Sequence, residues 1–308
     1  MKNFINIRDI STKDLKKIIL DAKKRKAKRK KLNYLDSDED SPLKGRFLIQ
    51  MFEKSSTRTR LSFYLAIRQL GGGALNLRKD ELHFGEGGES IHDTAKILSN
   101  YGDIFMFRTD SDKKLQEFKR YIKIPIINGL SPSSHPTQIL SDIFTIEEIK
   151  KQSVHNLNIC WIGDSNNVLN SLIEASVKFS FNLKIGCPKK YEPNKSLINW
   201  AKKNKSRIKI FNDPKKAIAN SDVVFADKFI GISYVFVEMV FDSEAFGGGI
   251  PPMSFVVKGK KVFDPRDSST AWSDNPALCV RDYITDTTYG LKATSSEVND
   301  TTALGGFQ

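Results

Sequence analysis

At 308 residues the chain is long enough for two domains with buried cores, and 39% hydrophobic with 28% charged residues is ordinary for a soluble globular protein. No apolar run reaches the ~20 residues a membrane-spanning helix needs, and Met1-Lys2-Asn3-Phe4-Ile5-Asn6 lacks the apolar core of a signal peptide. Three widely spaced cysteines (Cys160, Cys187, Cys279) argue for reduced thiols in a cytoplasm and against a disulfide or zinc framework.

The first predicted element is a helix over 12–31. Leu15, Ile18, Ile19 and Ala22 recur at helical spacing, and Ser11 with Asp14 forms a variant capping box. Its C-terminal end is the basic run Lys23–Lys31, the densest part of a formal net charge of +13. Such charge invites a nucleic-acid reading. No aromatic residue interleaves the run and no nucleic-acid-binding motif accompanies it, so a solvated helix end complementing the helix dipole is the stronger reading.

A strand is predicted over 46–52, followed by Ser56-Thr57-Arg58-Thr59-Arg60 and a helix over 58–70 that stops at Gly71-Gly72-Gly73. Hydroxyls and guanidiniums at a helix entrance just past a strand end suit an anion, because the first turn offers unpaired N–H groups and partial positive charge. Arginine adds a planar fork matched to phosphate or carboxylate. The segment reads as a phosphate cradle without a P-loop, or as an N-cap (Ser56 or Thr57) with solvated arginines. A strand over 74–78 precedes the glycine-rich loop Gly85–Gly88, which has the composition of a lid, with His83 at its base and Glu89 or Ser90 able to cap a helix over 90–101.

Arg108 ends the next strand, 103–108, and a helix over 112–121 leads to a strand over 124–128. His135-Pro136-Thr137-Gln138 then opens a helix over 136–151, with Pro136 suited to its first position. A histidine at that entrance can donate to an oxygen gaining negative charge, or simply sit at a surface or cap. After a strand over 158–163, Gly163-Asp164-Ser165-Asn166-Asn167 enters a helix over 166–180. Asn167 could bind an amino-acid carboxylate or α-amine, or cap the helix. Strands over 182–187, 207–211 and 222–226 alternate with helices over 195–203 and 213–220. Such alternation predicts parallel sheets with helices on both faces and ligands at the carboxyl ends of strands.

The chain changes character near residue 228. Residues 229–308 carry six Lys/Arg against ten Asp/Glu, and residues 1–228 carry 43 against 26. Gly247-Gly248-Gly249, Pro251-Pro252, short strand-like pieces and Thr/Ser/Asp-rich turns replace the regular alternation.

The ordered set Ser-Thr-Arg-Thr-Arg at 56–60, Glu89-Ser90 with Asp93-Thr94-Ala95, Arg108, His135-Pro136-Thr137-Gln138 and Asn167 in its Gly-Asp-x-Asn-Asn turn resembles the ornithine carbamoyltransferase family over residues 1–227. That resemblance implies an α/β fold of two doubly wound parallel-sheet domains. A carbamoyl-phosphate-binding domain would span 1–145 and a partial ornithine-binding domain 146–228, with 229–308 an unrelated C-terminal segment, β-rich or irregular. It implies transfer of a carbamoyl group from carbamoyl phosphate to the δ-amine of L-ornithine, giving citrulline and phosphate in arginine biosynthesis. It also implies a homotrimer and no metal or organic cofactor. Ser56, Thr57, Arg58 and Thr59 would hold the phosphate, Arg108 and His135 the carbamoyl oxygen, and Gln138 the carbamoyl group. His83 would be lent by a neighbouring subunit, and Asn167 and Asp227 would bind ornithine.

Three further family features do not appear: a Ser-Met-Gly motif soon after the Asp227 position, a His-Cys-Leu-Pro motif, and an arginine near the C-terminus. Cys279 stands instead in Ala277-Leu278-Cys279-Val280. Lys258–Arg266, Trp272–Leu278 and Asp282–Thr285 resemble segments of phage tail-tip or host-attachment proteins. The alternative expectation is therefore a chimera that binds carbamoyl phosphate without turning it over. A basic nucleic-acid-binding protein is the third.

Overall fold

The computed structural model describes residues 3–78, 88–226, 262–264 and 269–271. The chain divides into two compact units, Met1–Phe225 and Ala226–Gln308. The first contains two four-stranded parallel sheets with helices between their strands.

The first sheet has the order β2-β1-β3-β4, from β1 (Phe47–Phe52), β2 (Gly73–Arg78), β3 (Ile104–Arg108) and β4 (Ile126–Leu130). Its crossovers are α2 (Thr57–Gln69), α3 (Ile91–Tyr101) and α4 (Asp112–Tyr121). Alternation along β1 sorts its side chains between two faces. Ile49 and Met51 pack with Ala95, Leu98, Leu115 and Phe118 of α3 and α4, while Leu48 and Phe52 pack with Ile67 of α2. Each helix begins at a serine whose side chain accepts an otherwise orphaned amide: Ser56 from Thr59, Ser90 from Asp93 and Ser111 from Lys114. The glycine run after α2 bends the chain back at Gly71, whose φ of 89° suits a residue without a Cβ.

The second sheet has the order β7-β6-β5-β8, from β5 (Asn158–Ile162), β6 (Asn182–Gly186), β7 (Arg207–Phe211) and β8 (Val223–Ala226). Its helices are α6 (Asn167–Phe179), α7 (Lys195–Lys203) and α8 (Pro214–Ile218). α1 (Thr12–Lys28) and α5 (Pro136–Lys150), the helix joining the two sheets, contribute Leu15, Ile19, Ile139, Ile143 and Ile146 to the core under this sheet. Ser11 caps α1 by accepting from the Asp14 amide and donating to its carboxylate at 2.8 Å. The basic end of α1 is partly neutralised: Arg25 and Arg29 both reach Asp38, and Lys23 reaches Glu147.

The start of the chain belongs to both cores. Phe4 forms a parallel bridge to Ile127, donating to Ile126 O and accepting from Asn128 N, each at 2.8 Å. Ile5 then packs with the first sheet, and Ile7 and Ile10 pack with the second. Sequence periodicity does not reveal this clasp, because the segment is too short to carry a period.

Every strand and helix expected up to residue 226 is present within two residues at each end, except for α1, which gives way to a 3-10 turn at Arg29–Lys31. In the second unit the described residues form a two-stranded antiparallel ribbon, β9 (Val262–Asp264) with β10 (Ser269–Ala271).

Candidate functional site

The first sheet's order sets its site. β1 and β3 are neighbours with Phe52 opposite Arg108, and β4 lies beyond β3. The strand ends carrying Ser56–Thr59, Arg108 and His135 therefore share one edge. A register shift at Phe107/Arg108 pairs Arg108 with Leu130 and passes over Gly129. Bulges of this kind re-aim a side chain where a ladder ends.

Arg108 donates from Nη1 to Thr59 Oγ1 at 3.2 Å, and Ser56 Oγ donates to the same oxygen at 3.0 Å. The cradle at the entrance of α2 and the arginine at the end of β3 are thus one connected group. Arg58 and Thr57 are exposed at the first turn of α2. Burial lowers the Arg108 pKa from its ordinary value, and its Nε is buried without a hydrogen-bond partner among the described residues.

Beneath Arg108 lies a charged anchor. Glu53 has a fully buried side chain that pairs with Lys114 Nζ at 2.6 Å and accepts from Thr109 Oγ1. Its amide donates to Arg108 O at 3.0 Å, and the Thr109 amide donates to Leu130 O at 3.0 Å. A buried carboxylate needs such partners to stay ionised. Here they tie the ends of β1, β3 and β4 together.

His135 occupies the N-cap of α5 without a capping side-chain bond, and Pro136 fills the first helical position. Desolvation, helped by the positive charge of Arg108, pushes its pKa down to about 4, so the ring is neutral near pH 7. Its Nδ1 is buried with no hydrogen-bond partner among the described residues. Arg108 and His135 each therefore hold a buried polar atom without a partner, and the charge of one acts on the other. Gln138, one turn into α5, donates from Nε2 to both carboxylate oxygens of Asp142, at 3.2 and 3.4 Å. That leaves its amide oxygen as the group available to read an N–H donor. Burial raises the Asp142 pKa to about 6, against the lowering effect of the Gln138 bond.

Gly163, with φ 141°, makes the turn after β5 in a conformation that side chains rarely adopt. Asn166 is the N-cap of α6, accepting from the amides of Val168 and Leu169. Asn167 is the first helical residue, and its Nδ2 donates to Ser131 O at 2.8 Å. This decides between the two structural options for Asn167: the neighbour caps, and Asn167 faces the loop before His135. With its amino group held by Ser131, its amide oxygen is the better placed to accept a hydrogen bond.

Ser56, Thr59, Arg108 and His135 are therefore brought together, with Gln138 on the same helix entrance and Asn167 across the loop. His83 and Asp227 lie outside the described residues. Glu53, Asp142 and Ser171 join this group without having stood out in the sequence. Glu53 carried one signal, a charge directly after an apolar strand. Asp142 and Ser171 each stand four residues after a predicted site residue, the spacing at which helical side chains are neighbours. Among the described residues no group of three or more His, Cys, Asp or Glu side chains is arranged to hold a metal ion. No described helix is long and apolar enough to cross a membrane.

The fold and this edge define a transferase class seen in known proteins. Residues 2–148 match the family described as aspartate/ornithine carbamoyltransferase, carbamoyl-P binding domain, and residues 155–238 match its Asp/Orn binding domain. The chain belongs to the aspartate/ornithine carbamoyltransferase family. It is 39% identical over 232 residues to an ornithine carbamoyltransferase of Brucella ovis, a match covering 75% of this chain and 72% of that one. Among solved structures, the anabolic ornithine carbamoyltransferase of Campylobacter jejuni aligns with a TM-score of 0.66 at 36% identity, covering 74% of this chain and 73% of that one. The ornithine carbamoyltransferase from Pyrococcus furiosus aligns with a TM-score of 0.68 at 34% identity, covering 74% and 72%. The family match runs to residue 238, beyond the limit at 227 drawn from the motifs.

Proposed function

We propose that this chain binds carbamoyl phosphate at the carboxyl edge of its first sheet and transfers the carbamoyl group to the δ-amine of L-ornithine, yielding L-citrulline and phosphate. The observation that carries this reading is the pairing of Arg108 and His135. Their buried, unpartnered nitrogens sit beside a helix entrance bearing hydroxyls, and the histidine is held neutral.

In this reading the first turn of α2, with Ser56, Thr57, Arg58 and Thr59, receives the phosphate. Arg108 and His135 receive the carbamoyl oxygen. Gln138, its amide oriented by Asp142, accepts from the carbamoyl NH2. The neutral δ-amine attacks the carbonyl carbon, a C–N bond forms and the π electrons move onto oxygen. Donors already aimed at that oxygen stabilise the tetrahedral oxyanion without reorganising. Collapse breaks the bond to the phosphate oxygen, phosphate departs with the electron pair, and the amine releases a proton. Positioning supplies much of the rate.

The domain limits proposed are 1–145 for carbamoyl phosphate and 146–228 for ornithine, with Asn167 accepting from the α-amine and Asp227 as a second ornithine-binding residue. The enzyme portion is proposed as a cytoplasmic homotrimer in which His83 is lent to a neighbouring site. Calorimetry with carbamoyl phosphate followed by a citrulline assay tests the reading. Absence of binding refutes it.

A second reading is favoured by one observation: the family match stops at residue 238 of 308, and the three later ornithine-site features do not appear in the sequence. A chimera would bind carbamoyl phosphate and release no citrulline. The likeness of its last segment to phage tail-tip proteins rests on the sequence alone. Steeply salt-dependent DNA binding would instead support the nucleic-acid reading.

A further inference from the structure

Asn167, Asn170 and Ser171 lie on one face of α6, at the first, fourth and fifth positions of the helix. All three side chains reach the segment between β4 and α5. Asn167 Nδ2 donates to Ser131 O at 2.8 Å, and Asn170 Nδ2 donates to Ser133 O at 3.0 Å. Ser171 Oγ accepts from the His135 amide at 2.9 Å and lies 3.1 Å from Ser134 Oγ. Ser171 and Ser131 are wholly buried, and Ser134 is nearly so. From the other side Asn128 Nδ2 donates to Ser131 Oγ at 3.4 Å and to Ser134 O at 3.5 Å.

A buried serine inside a helix commonly bonds back to a carbonyl of its own preceding turn. Ser176 of the same helix does this, donating to Ile173 O at 2.7 Å. Ser171 spends its hydroxyl on the loop instead. Its bond to the His135 amide attaches α6 directly to the residue bearing the imidazole. His135 lacks a capping side-chain bond and its Nδ1 lacks a partner among the described residues, so the backbone bond to Ser171 is a direct restraint on where this residue stands.

We propose that Ser171 is a positioning residue for His135, and that α6 of the second sheet, gripping the 131–135 loop through Asn167, Asn170 and Ser171, sets where the imidazole stands in the site of the first. The proposal rests on the carbamoyl-transfer reading only for its catalytic consequence. Because Asn167 sits in the same grip, an amine donor bound at Asn167 and the geometry of His135 are linked through one helix face.

The test follows His135 by NMR, which is tractable because the chain has four histidines. Its resonance is assigned with His135→Gln. In the full chain the ring should titrate near its depressed value of about 4, kept there by desolvation and the charge of Arg108. In Ser171→Ala the loop loosens, the ring gains water, and the His135 midpoint should rise toward ordinary histidine. Ser171→Cys, which keeps the volume with a weaker hydrogen-bonding group, should fall between. An unmoved His135 in folded Ser171→Ala overturns the proposal. If Ser171→Ala does not fold, Asn170→Ala must shift the midpoint in the same direction, and its failure to do so is equally fatal. Where the wild type makes citrulline, Ser171→Ala should lower kcat about tenfold with little change in the KM for ornithine, and should do nothing further in His135→Gln. Losses that multiply across that pair overturn the proposal. A wild type without citrulline refutes the transfer reading and leaves the titration to decide this one.

Discussion

The two sheets have the same architecture and opposite interiors. The first buries Gln50 and Asn128 inside its strands and seats a wholly buried Glu53 at its edge, while none of the buried polar side chains lies in β5, β6, β7 or β8. The second sheet and the helices around it form one continuous apolar core, with Trp161, Leu183 and Ile185 at its centre. Its buried polar side chains lie on α6: Ser171, with Asn167 and Asn170 beside it, faces the first sheet's loop, Ser176 bonds its own turn, and Glu174 pairs with Arg8. The difference teaches that the fold repeats while the chemistry does not. Polar groups gather at one edge, and the other sheet reaches that edge through a helix.

The sharpest way to break this contrast is to remove the central cation of the polar edge. Arg108→Ala should abolish the calorimetric signal with carbamoyl phosphate and lower citrulline formation by about a thousandfold, since it deletes a preorganised donor at the developing oxyanion. The fold should survive, because Glu53, Thr109 and Lys114 tie the strand ends without the Arg108 side chain. Retained binding and turnover would remove Arg108 from the carbamoyl oxygen.

Asn167→Ala asks the matching question of the second sheet. The KM for ornithine should rise about ten- to a hundredfold, as expected for losing a hydrogen bond to a charged group. The affinity for carbamoyl phosphate should change little. Equal losses for both ligands would mean that α6 serves only to hold the loop.

The alternation of apolar runs and helical periods made both sheets readable, because period 2 and period 3.6 are local properties of the chain. The cradle at 56–59, Arg108 and His135 stood out in the sequence for a related reason: each lies at or a few residues past the carboxyl end of a strand. What escaped was contact between distant segments. Ser171 reaches His135 across 36 residues, and Glu53 reaches Lys114 across 61. Nothing in a serine within a helix, taken alone, distinguishes one that bonds its own turn from one that holds a neighbouring loop. The clasp of Phe4 on β4 is equally long-range.

His135 gives the contrast a pH dependence. Its folded pKa is about 4, against 6.5 for an unperturbed imidazole, because burial and Arg108 oppose the charged ring. Between those values the unfolded chain binds more protons, so this group makes stability fall as pH drops from 6.5 toward 4 and contributes nothing to the slope above it. Comparing urea unfolding at pH 7 and pH 5, wild type should lose more stability than His135→Gln, by about 2 kcal/mol. Glu174, whose pKa burial raises to about 7, acts in the opposite direction over part of this range but is common to both proteins. Identical slopes would mean that the ring is hydrated and free to protonate.

The smallest effect tests whether the polar load of the first sheet is all functional. Gln50 is fully buried on the face of β1 that packs toward α2, and neither amide atom has a hydrogen-bond partner among the described residues. It stands opposite Asn76 of β2, whose Oδ1 is buried and likewise without a partner there. Leaving a buried amide unmatched costs about 1–3 kcal/mol, whereas an apolar side chain of similar shape avoids that cost. Gln50→Leu should therefore raise the urea midpoint by the equivalent of about 1 kcal/mol, with carbamoyl phosphate affinity unchanged. Such a gain would separate Gln50 from Glu53, whose carboxylate is matched by Thr109 and Lys114 and whose replacement should destabilise the edge. A loss of stability on Gln50→Leu would reverse that distinction, because it would mean the amide is engaged and the polar interior of this sheet is a single connected network.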